Sequence, residues 1–499
     1  MSLVRHPYSP YALLLFVALL VVWAYGIMEI PIYGDRGYFI YLSQLVARGG
    51  SLYQDSPYGY TPLGPLLSGG LIYLLEDVSG LKSYLIPRLG GFVAFLASSM
   101  LLYKTALVLF RRKLVALLCG LSWLGLSYVA VVSSGGLEPK VLVALLAILA
   151  LYAVFTERYF LSGLACGLAV CCWQVAILYP LGIFLWLLLR RQITWKALGT
   201  FLAGGALSFI ALLAYLYFSD SFTAFWQQAF LRKLAIEGDT LGESPFHWLT
   251  KLWPGFAGDM VFFLAAFLGF ARCSVGIVNG FRRKAEEPGD PRFWLLLILT
   301  LLWSGFNTIE FQGSMDFVPM LPVLALWLAY FAARVMSGTL PSYAVAATLV
   351  LFLFADLLFI PESITLQDQE ALVARINAQY QPDRVLVSGA DFWYVIDEQP
   401  APLKYFRMQY FEEYLMEHFA PGSKIGLLNH LRDWQPDLII TPVNRKNISF
   451  VKEADIFVQF RTTEARGPAE PFDMEAHRHF SLVPAGQQQF EIIQTQWSH

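Results

Sequence analysis

The feature that most constrains this chain is a succession of apolar runs, most of them about 18 residues or longer, starting with YALLLFVALLVVWAYGIMEI near the N-terminus. Inside a bilayer no water is available to bond the backbone, so runs of this length and purity read as transmembrane helices. Candidate spans fall at 11–29, 84–109, 114–133, 139–155, 160–173, 174–189, 197–218, 256–280, 293–309, 317–335 and 341–360, about eleven in all. Two short ones meet near Trp173 and Gln174, where one long tilted helix is the rival reading. The first run has no small-residue cleavage site and further spans follow it, so it reads as a retained helix rather than a signal peptide. Only 14% of the chain is charged, and the formal net charge of −2 argues against nucleic acid as a partner. Cys119, Cys166, Cys171, Cys172 and Cys273 all lie in apolar stretches without His or acidic neighbours, the pattern of packing thiols rather than of metal ligands.

The basic residues orient the bundle. Arg111-Arg112-Lys113, Arg190-Arg191, Arg282-Arg283-Lys284 and Arg334 fall on one side, which the positive-inside rule makes cytoplasmic. The other side receives a first outer loop (30–83), SSGGLEPK (133–140), a long outer loop (219–255) and NTIEFQGSMDF (307–317). The apolar piece PLGPLLSGGLIYLLEDVSG is short for a span, and counting it as one would invert every later loop. It is expected to be a juxtamembrane or re-entrant helix. From Glu362 charge rises and no span follows; DRVLVSGAD and PDLIITP read as short strands, with helix-like stretches between them. The expected organisation is a transmembrane domain over 1–361 and a small extracytoplasmic α/β domain over 362–499, with no GxGxxG nucleotide signature. The triplet beginning at Asn447 matches a glycosylation sequon, a pattern that also arises by chance.

Several polar residues at the outer face have both a structural and a chemical reading. Asp35 either caps the helix that RGYFIYLSQLVAR predicts or acts as a general base, held by a loop rich in tyrosines (Tyr38, Tyr41, Tyr53, Tyr58, Tyr60) and stiffened by prolines. In SSGGLEPK, Pro139 and Glu138 suit a helix start, but Lys140 opposes the helix dipole at a membrane edge, a conflict that a bound phosphate would resolve. Arg88 either snorkels to headgroups or contributes to the same cavity, as do Arg232 and Lys233 in an amphipathic segment of the long loop. Gln174 either bonds a neighbouring helix or lines the cavity; Glu310 and Gln312 read as ligand contacts, and Asp316 as a helix cap or a further contact. No metal motif is present, although a lone Asp can ligate Mg²⁺ weakly, which leaves a divalent cation open.

These features resemble the GT-C superfamily of polyprenyl-phosphate-sugar-dependent glycosyltransferases, the class of protein O-mannosyltransferases and lipid A aminoarabinose transferases. The resemblance rests on Asp35 with Tyr38, GGSLYQD, YTPLGPLL and PRLGG, and is strongest over 30–110. Two positions depart from the pattern: Arg36 stands where relatives often carry a second carboxylate, and Thr61 where they often carry a lysine. The resemblance implies a GT-C-like fold in the cell (inner) membrane and inverting transfer of a sugar from a polyprenyl-phosphate donor on the extracytoplasmic face. It implies Asp35 as base, with Arg88, Lys140 and Arg36 as candidates for the donor phosphate. The acceptor is a lipid, glycan or protein hydroxyl, and no cofactor is required. A transporter or flippase of a polyprenyl-linked glycolipid is the competing reading; it requires polar residues deep within the spans.

Overall fold

The computed structural model describes residues 8–32, 34–56, 58–189, 195–231, 256, 258–282, 290–309, 313–336, 342–354, 365–380, 383–387, 392–398, 438–442, 457–460, 480–481 and 489–496. The chain is predominantly helical. Its first helix, α1 (Ser9–Ala24), leads into an outer layer of α2 (Asp35–Ala47) and α3 (Leu63–Ser79). The bundle continues with α4 (Leu85–Phe110), α5 (Lys113–Leu124), α6 (Ser127–Ser133), α7 (Pro139–Phe155), α8 (Tyr159–Cys172), α9 (Leu178–Leu189) and α10 (Trp195–Phe218). After a short α11 (Phe222–Phe225) come α12 (Met260–Arg282), α13 (Pro291–Ile309), α14 (Leu321–Val335) and α15 (Ser342–Leu353).

Among the described residues, five helical segments are long and apolar enough to cross a membrane, six if α5 and α6 count as one span bent by 59°. Four further apolar helices, Ser9–Ala24, Pro139–Phe155, Tyr159–Cys172 and Gln174–Leu189, coincide with expected spans but are shorter than a membrane crossing normally needs. The described residues thus give five or six spans by length and composition, where the sequence predicts about eleven. At Trp173 the backbone turns extended (φ −153°, ψ 123°) and a 3₁₀ turn, Gln174–Ile177, follows, so the region is broken where two spans were expected to meet. Large apolar side chains such as Phe16, Trp23, Phe209, Ile210 and Phe267 point outward from the helices, as a multi-pass membrane protein requires.

Small residues set how closely the helices approach. A methyl group at Gly163 would lie 1.8 Å from the Phe201 carbonyl oxygen, and one at Gly204 2.1 Å from that of Phe160. Helices α8 and α10 therefore cross at backbone contact. Several helix ends meet: Arg112 donates to the Ala333 carbonyl, Arg292 to that of Val108, and the Trp186 indole to that of Pro291.

Beyond the bundle lie α16 (Leu366–Tyr380) and α17 (Phe392–Ile396). Strands β1 (Val385–Val387), β2 (Leu438–Pro442), β3 (Phe457–Phe460), β4 (Phe480–Ser481) and β5 (Gln489–Gln496) form one sheet in the order β1-β2-β5-β3, with β4 also paired to β5. β1 and β2 run parallel, Val385 facing Leu438, while β5 is antiparallel to β2, Ile439 facing Ile493. Both stretches expected as strands, DRVLVSGAD and PDLIITP, supply one. A second apolar core joins the outer layer to this segment: Phe39, Ile40, Leu52, Tyr53, Tyr58 and Tyr84 bury against Leu366, Leu372, Ile376, Phe392, Trp393 and Val395.

Candidate active site

Asp35 is the first residue of α2, entered through Gly34, whose φ of 56° and ψ of −132° suit a residue without a side chain. The carboxylate thus sits at the positive end of a 13-residue helix. It lines a small closed pocket of about 180 Å³ with Phe39, Tyr60, Pro139, Lys140 and Met315. The fold thereby brings together the first outer loop, the start of α7 and the turn before α14, the same stretches in which the sequence placed Asp35, Lys140 and Asp316.

Lys140 is buried and its Nζ lies 2.5 Å from Asp316 Oδ1. The ammonium also stands 5.2 Å from the Trp173 ring centroid and 5.9 Å from that of Tyr60. Asp316 does what the structural reading expected as well: its Oδ2 accepts from the Gly313 N–H at 3.2 Å, capping the 3₁₀ turn Ser314–Met320. The conflict between Lys140 and the α7 dipole is thus resolved by a protein carboxylate.

Arg36 and Glu138 form a second charged pair of neighbours. Both crowd Gly135, where an added methyl group would fall 2.0 Å from Glu138 Oε1 and 2.8 Å from Arg36 Cγ. Burial pushes the Arg36 guanidinium below its ordinary value, and Glu138 is first among the neighbours that pull it back. A guanidinium stays charged at physiological pH regardless. Glu138, fully buried, stands at the N-cap position of α7, the helix start the sequence suggested, without a side-chain capping bond.

Arg88 departs from expectation. It is fully buried, and its two terminal nitrogens donate to the carbonyls of Met28 (2.9 Å) and Ile30 (2.6 Å). The fork of the guanidinium reaches two carbonyls two residues apart, so Arg88 tethers the exit of the first helix. Gln174 is also a tether, donating to the carbonyls of Gly59 (3.2 Å) and Ala229 (2.9 Å). The Thr61 hydroxyl donates to Val170 O at 2.7 Å, an anchor between the outer loop and α8. Arg232, Lys233, Glu310 and Gln312, expected at the cavity, lie outside the described residues.

The tyrosine row is a packed cluster. Tyr58 stands 6.3 Å from Tyr38, 5.8 Å from Tyr53 and 5.7 Å from Tyr60, and the Tyr53 hydroxyl donates to Tyr60 O at 2.6 Å. Burial pushes the Tyr53 and Tyr58 phenols well above their ordinary values, so both are neutral donors at any physiological pH. Gln228 clips the same turn, donating to Tyr53 O and accepting from Tyr58 N–H. Two residues were missed in the sequence. Trp173 faces Lys140, and Tyr128 lies within electrostatic reach of Arg36, Glu138, Lys140 and Asp316. Both belong to apolar runs, where an aromatic ring gives no sign of the charges beside it.

Among the described residues, the buried charged side chains are Arg88, Glu138, Lys140, Asp259 and Asp316, all near the ends of helices. Buried hydroxyls inside the bundle, such as Ser98, Thr105 and Thr300, bond the carbonyl one turn earlier. No three His, Cys, Asp or Glu side chains among the described residues converge closely enough to hold a metal ion.

The family model for DolP-mannose mannosyltransferases matches residues 49–213. No curated protein matches the chain by sequence. Among solved structures, ArnT from Cupriavidus metallidurans bound to undecaprenyl phosphate superposes with a TM-score of 0.61 at 13% identity, covering 98% of both chains. The Archaeoglobus fulgidus oligosaccharyltransferase AglB, in complex with an inhibitory peptide and a dolichol phosphate, gives 0.53 at 10% identity over 94% of this chain and 75% of its own. The fold is therefore that of the GT-C membrane glycosyltransferases. Over residues 49–213 the match to the DolP-mannose mannosyltransferase model adds a likeness in sequence to this likeness in fold.

Proposed function

We propose that this chain transfers a sugar from a polyprenyl-phosphate donor to an acceptor hydroxyl at the extracytoplasmic face of the inner membrane, with inversion at the anomeric carbon. The observation that carries the reading is the pocket in which Asp35, at a helix N-terminus, faces Lys140. Asp35 takes the proton of the acceptor hydroxyl as its oxygen attacks the anomeric carbon. The bond to the phosphate breaks, and the polyprenyl phosphate leaves as a stable anion that needs no general acid. Arg36 and Lys140 are the cations nearest to Asp35 in chain and pocket, and they take up the charge developing on the leaving group. Each already faces a carboxylate, Glu138 and Asp316 respectively. Donor binding therefore shifts these cations between two anionic partners.

The organisation that goes with this reading is a transmembrane catalytic domain over 1–361 and an extracytoplasmic α/β domain over 362–499. The arrangement of buried charge favours transfer over transport, because a flippase needs polar groups along its path and those described here gather at the helix ends. The test is transfer from a radiolabelled polyprenyl-phosphate-linked sugar in membranes carrying Asp35→Asn. We expect a loss of about 10²–10⁴-fold, the usual contribution of a general base; activity near wild type would remove Asp35 from the role.

A further inference from the structure

The segment that delivers Asp35 is held by an unusual number of hydrogen bonds from outside itself. Arg88 binds the carbonyls of Met28 and Ile30 from the bundle side. From the opposite side, the Leu366 N–H donates to Glu29 O at 2.7 Å. Gln369, fully buried on α16, then grips Ile32 twice: its Oε1 accepts the Ile32 N–H at 2.8 Å, and its Nε2 donates to Ile32 O at 3.1 Å. One side-chain amide thus pairs with both backbone groups of one residue, as a neighbouring strand would.

The far end of α2 is gripped by the same C-terminal segment. Gln44 Nε2 donates to Val395 O at 3.0 Å and to the Ser83 hydroxyl at 2.6 Å, and Arg48 pairs with Glu398 at 3.2 Å. Ser83 in turn donates to Glu398 at 2.5 Å. Helix α2 is about 20 Å long at 1.5 Å per residue. A rod of that length fixed at both ends cannot slide or rotate, and its first residue is Asp35.

We propose that the C-terminal segment is a working part of the active site: Gln369 is a positioning residue that, together with Arg88, sets where the Asp35 carboxylate stands. The proposal rests on Asp35 being the base. Gln369 touches no reacting atom. Its effect passes from Ile32 toward Gly34, whose positive φ of 56° leads into α2. Arg88 is then a positioning residue also, which accounts for a charged side chain in a fully buried place.

The experiment uses the full chain in nanodiscs, with polyprenyl-phosphate-mannose as donor, and compares Gln369→Leu and Gln369→Glu with wild type. Three quantities are read: kcat, the donor KM, and hydrogen exchange over residues 29–40. For Gln369→Leu we expect faster exchange at Ile32 and a kcat lowered by about 10- to 100-fold, the scale of a 1 Å misplacement, with donor KM within about twofold. Gln369→Glu keeps the acceptor for the Ile32 N–H and loses the donor, so its kcat falls in between; it also decides the matter if the leucine variant fails to fold. Exchange that accelerates while kcat stays within about twofold of wild type would overturn the positioning role, as would unchanged exchange in both variants. Asp35→Asn measured alongside separates the two ideas: if it stays active the base assignment fails, whatever happens to exchange at Ile32.

Discussion

The membrane bundle and the outer layer are held together by different physics, and the contrast shows where this chain can vary. In the bundle, helices α8 and α10 meet at glycines, with room for no side chain at Gly163 or Gly204. Interior hydroxyls such as Ser98 and Thr105 bond within their own helices, and Ser99, Ser162 and Ser208 bond a carbonyl of the helix beside them. Contact area and dispersion do the rest, and one apolar residue of similar volume can replace another. The outer layer instead depends on individual polar atoms: Gln369 on Ile32, Gln44 on Val395, Gln228 on Tyr53 and Tyr58. A missing atom there leaves a buried donor or acceptor unpaired, which is costly out of proportion to its size.

This difference can be broken at several points. The largest effect should come from Gly163→Leu, since even a methyl group would overlap the Phe201 carbonyl; we expect no folded protein on size-exclusion chromatography. Next is Lys140→Met, which strands the buried Asp316 carboxylate and should cost about 3–5 kcal/mol. The double variant Lys140→Met, Asp316→Leu should recover most of that loss in a thermal-shift assay while remaining inactive. If the double variant is no more stable than the single one, the pair is not the energetic unit described here. Tyr53→Phe removes the donor to the Tyr60 carbonyl and should cost about 1–2 kcal/mol, read by the same assay.

The smallest effect tests the rim of the outer layer. Burial, and then the nearby Glu398, hold the Glu76 carboxyl above its ordinary value, so its charged form is disfavoured in the folded protein. A group raised in this way contributes stability at acid pH and loses it as pH rises through the raised value. Glu76→Gln should therefore be neutral to slightly stabilising at pH 7, within about 0.5 kcal/mol. The gain should vanish below the ordinary carboxylate range, where wild-type Glu76 is itself protonated. Thermal midpoints at pH 4 and pH 7 decide it.

Much of the bundle was legible because one signal, apolar run length, carries it. The break at Trp173 was visible too, since the two flanking runs are each too short for a comfortable crossing. Helix α3 fell where a juxtamembrane helix was expected. At the site, the stretches carrying Asp35, Lys140 and Asp316 could be read as facing one side, because loop parity alone places them there. What each cation does was not legible. Sequence spacing cannot say whether Arg88 meets a phosphate or the carbonyls of Met28 and Ile30, because both are oxygen acceptors at the same depth. Nor could Gln369 be found, since its partner lies 337 residues away and an amide in a polar helix gives no local signal.

The most direct test of the central claim is a cryo-EM map of the full chain with polyprenyl phosphate bound. We expect the phosphate in the pocket between Asp35 and Lys140, contacting Lys140 or Arg36, with the Asp35 carboxylate facing the position of the anomeric carbon. A phosphate bound elsewhere on the molecule, with the Lys140–Asp316 pair intact and the Asp35 pocket empty, would contradict it.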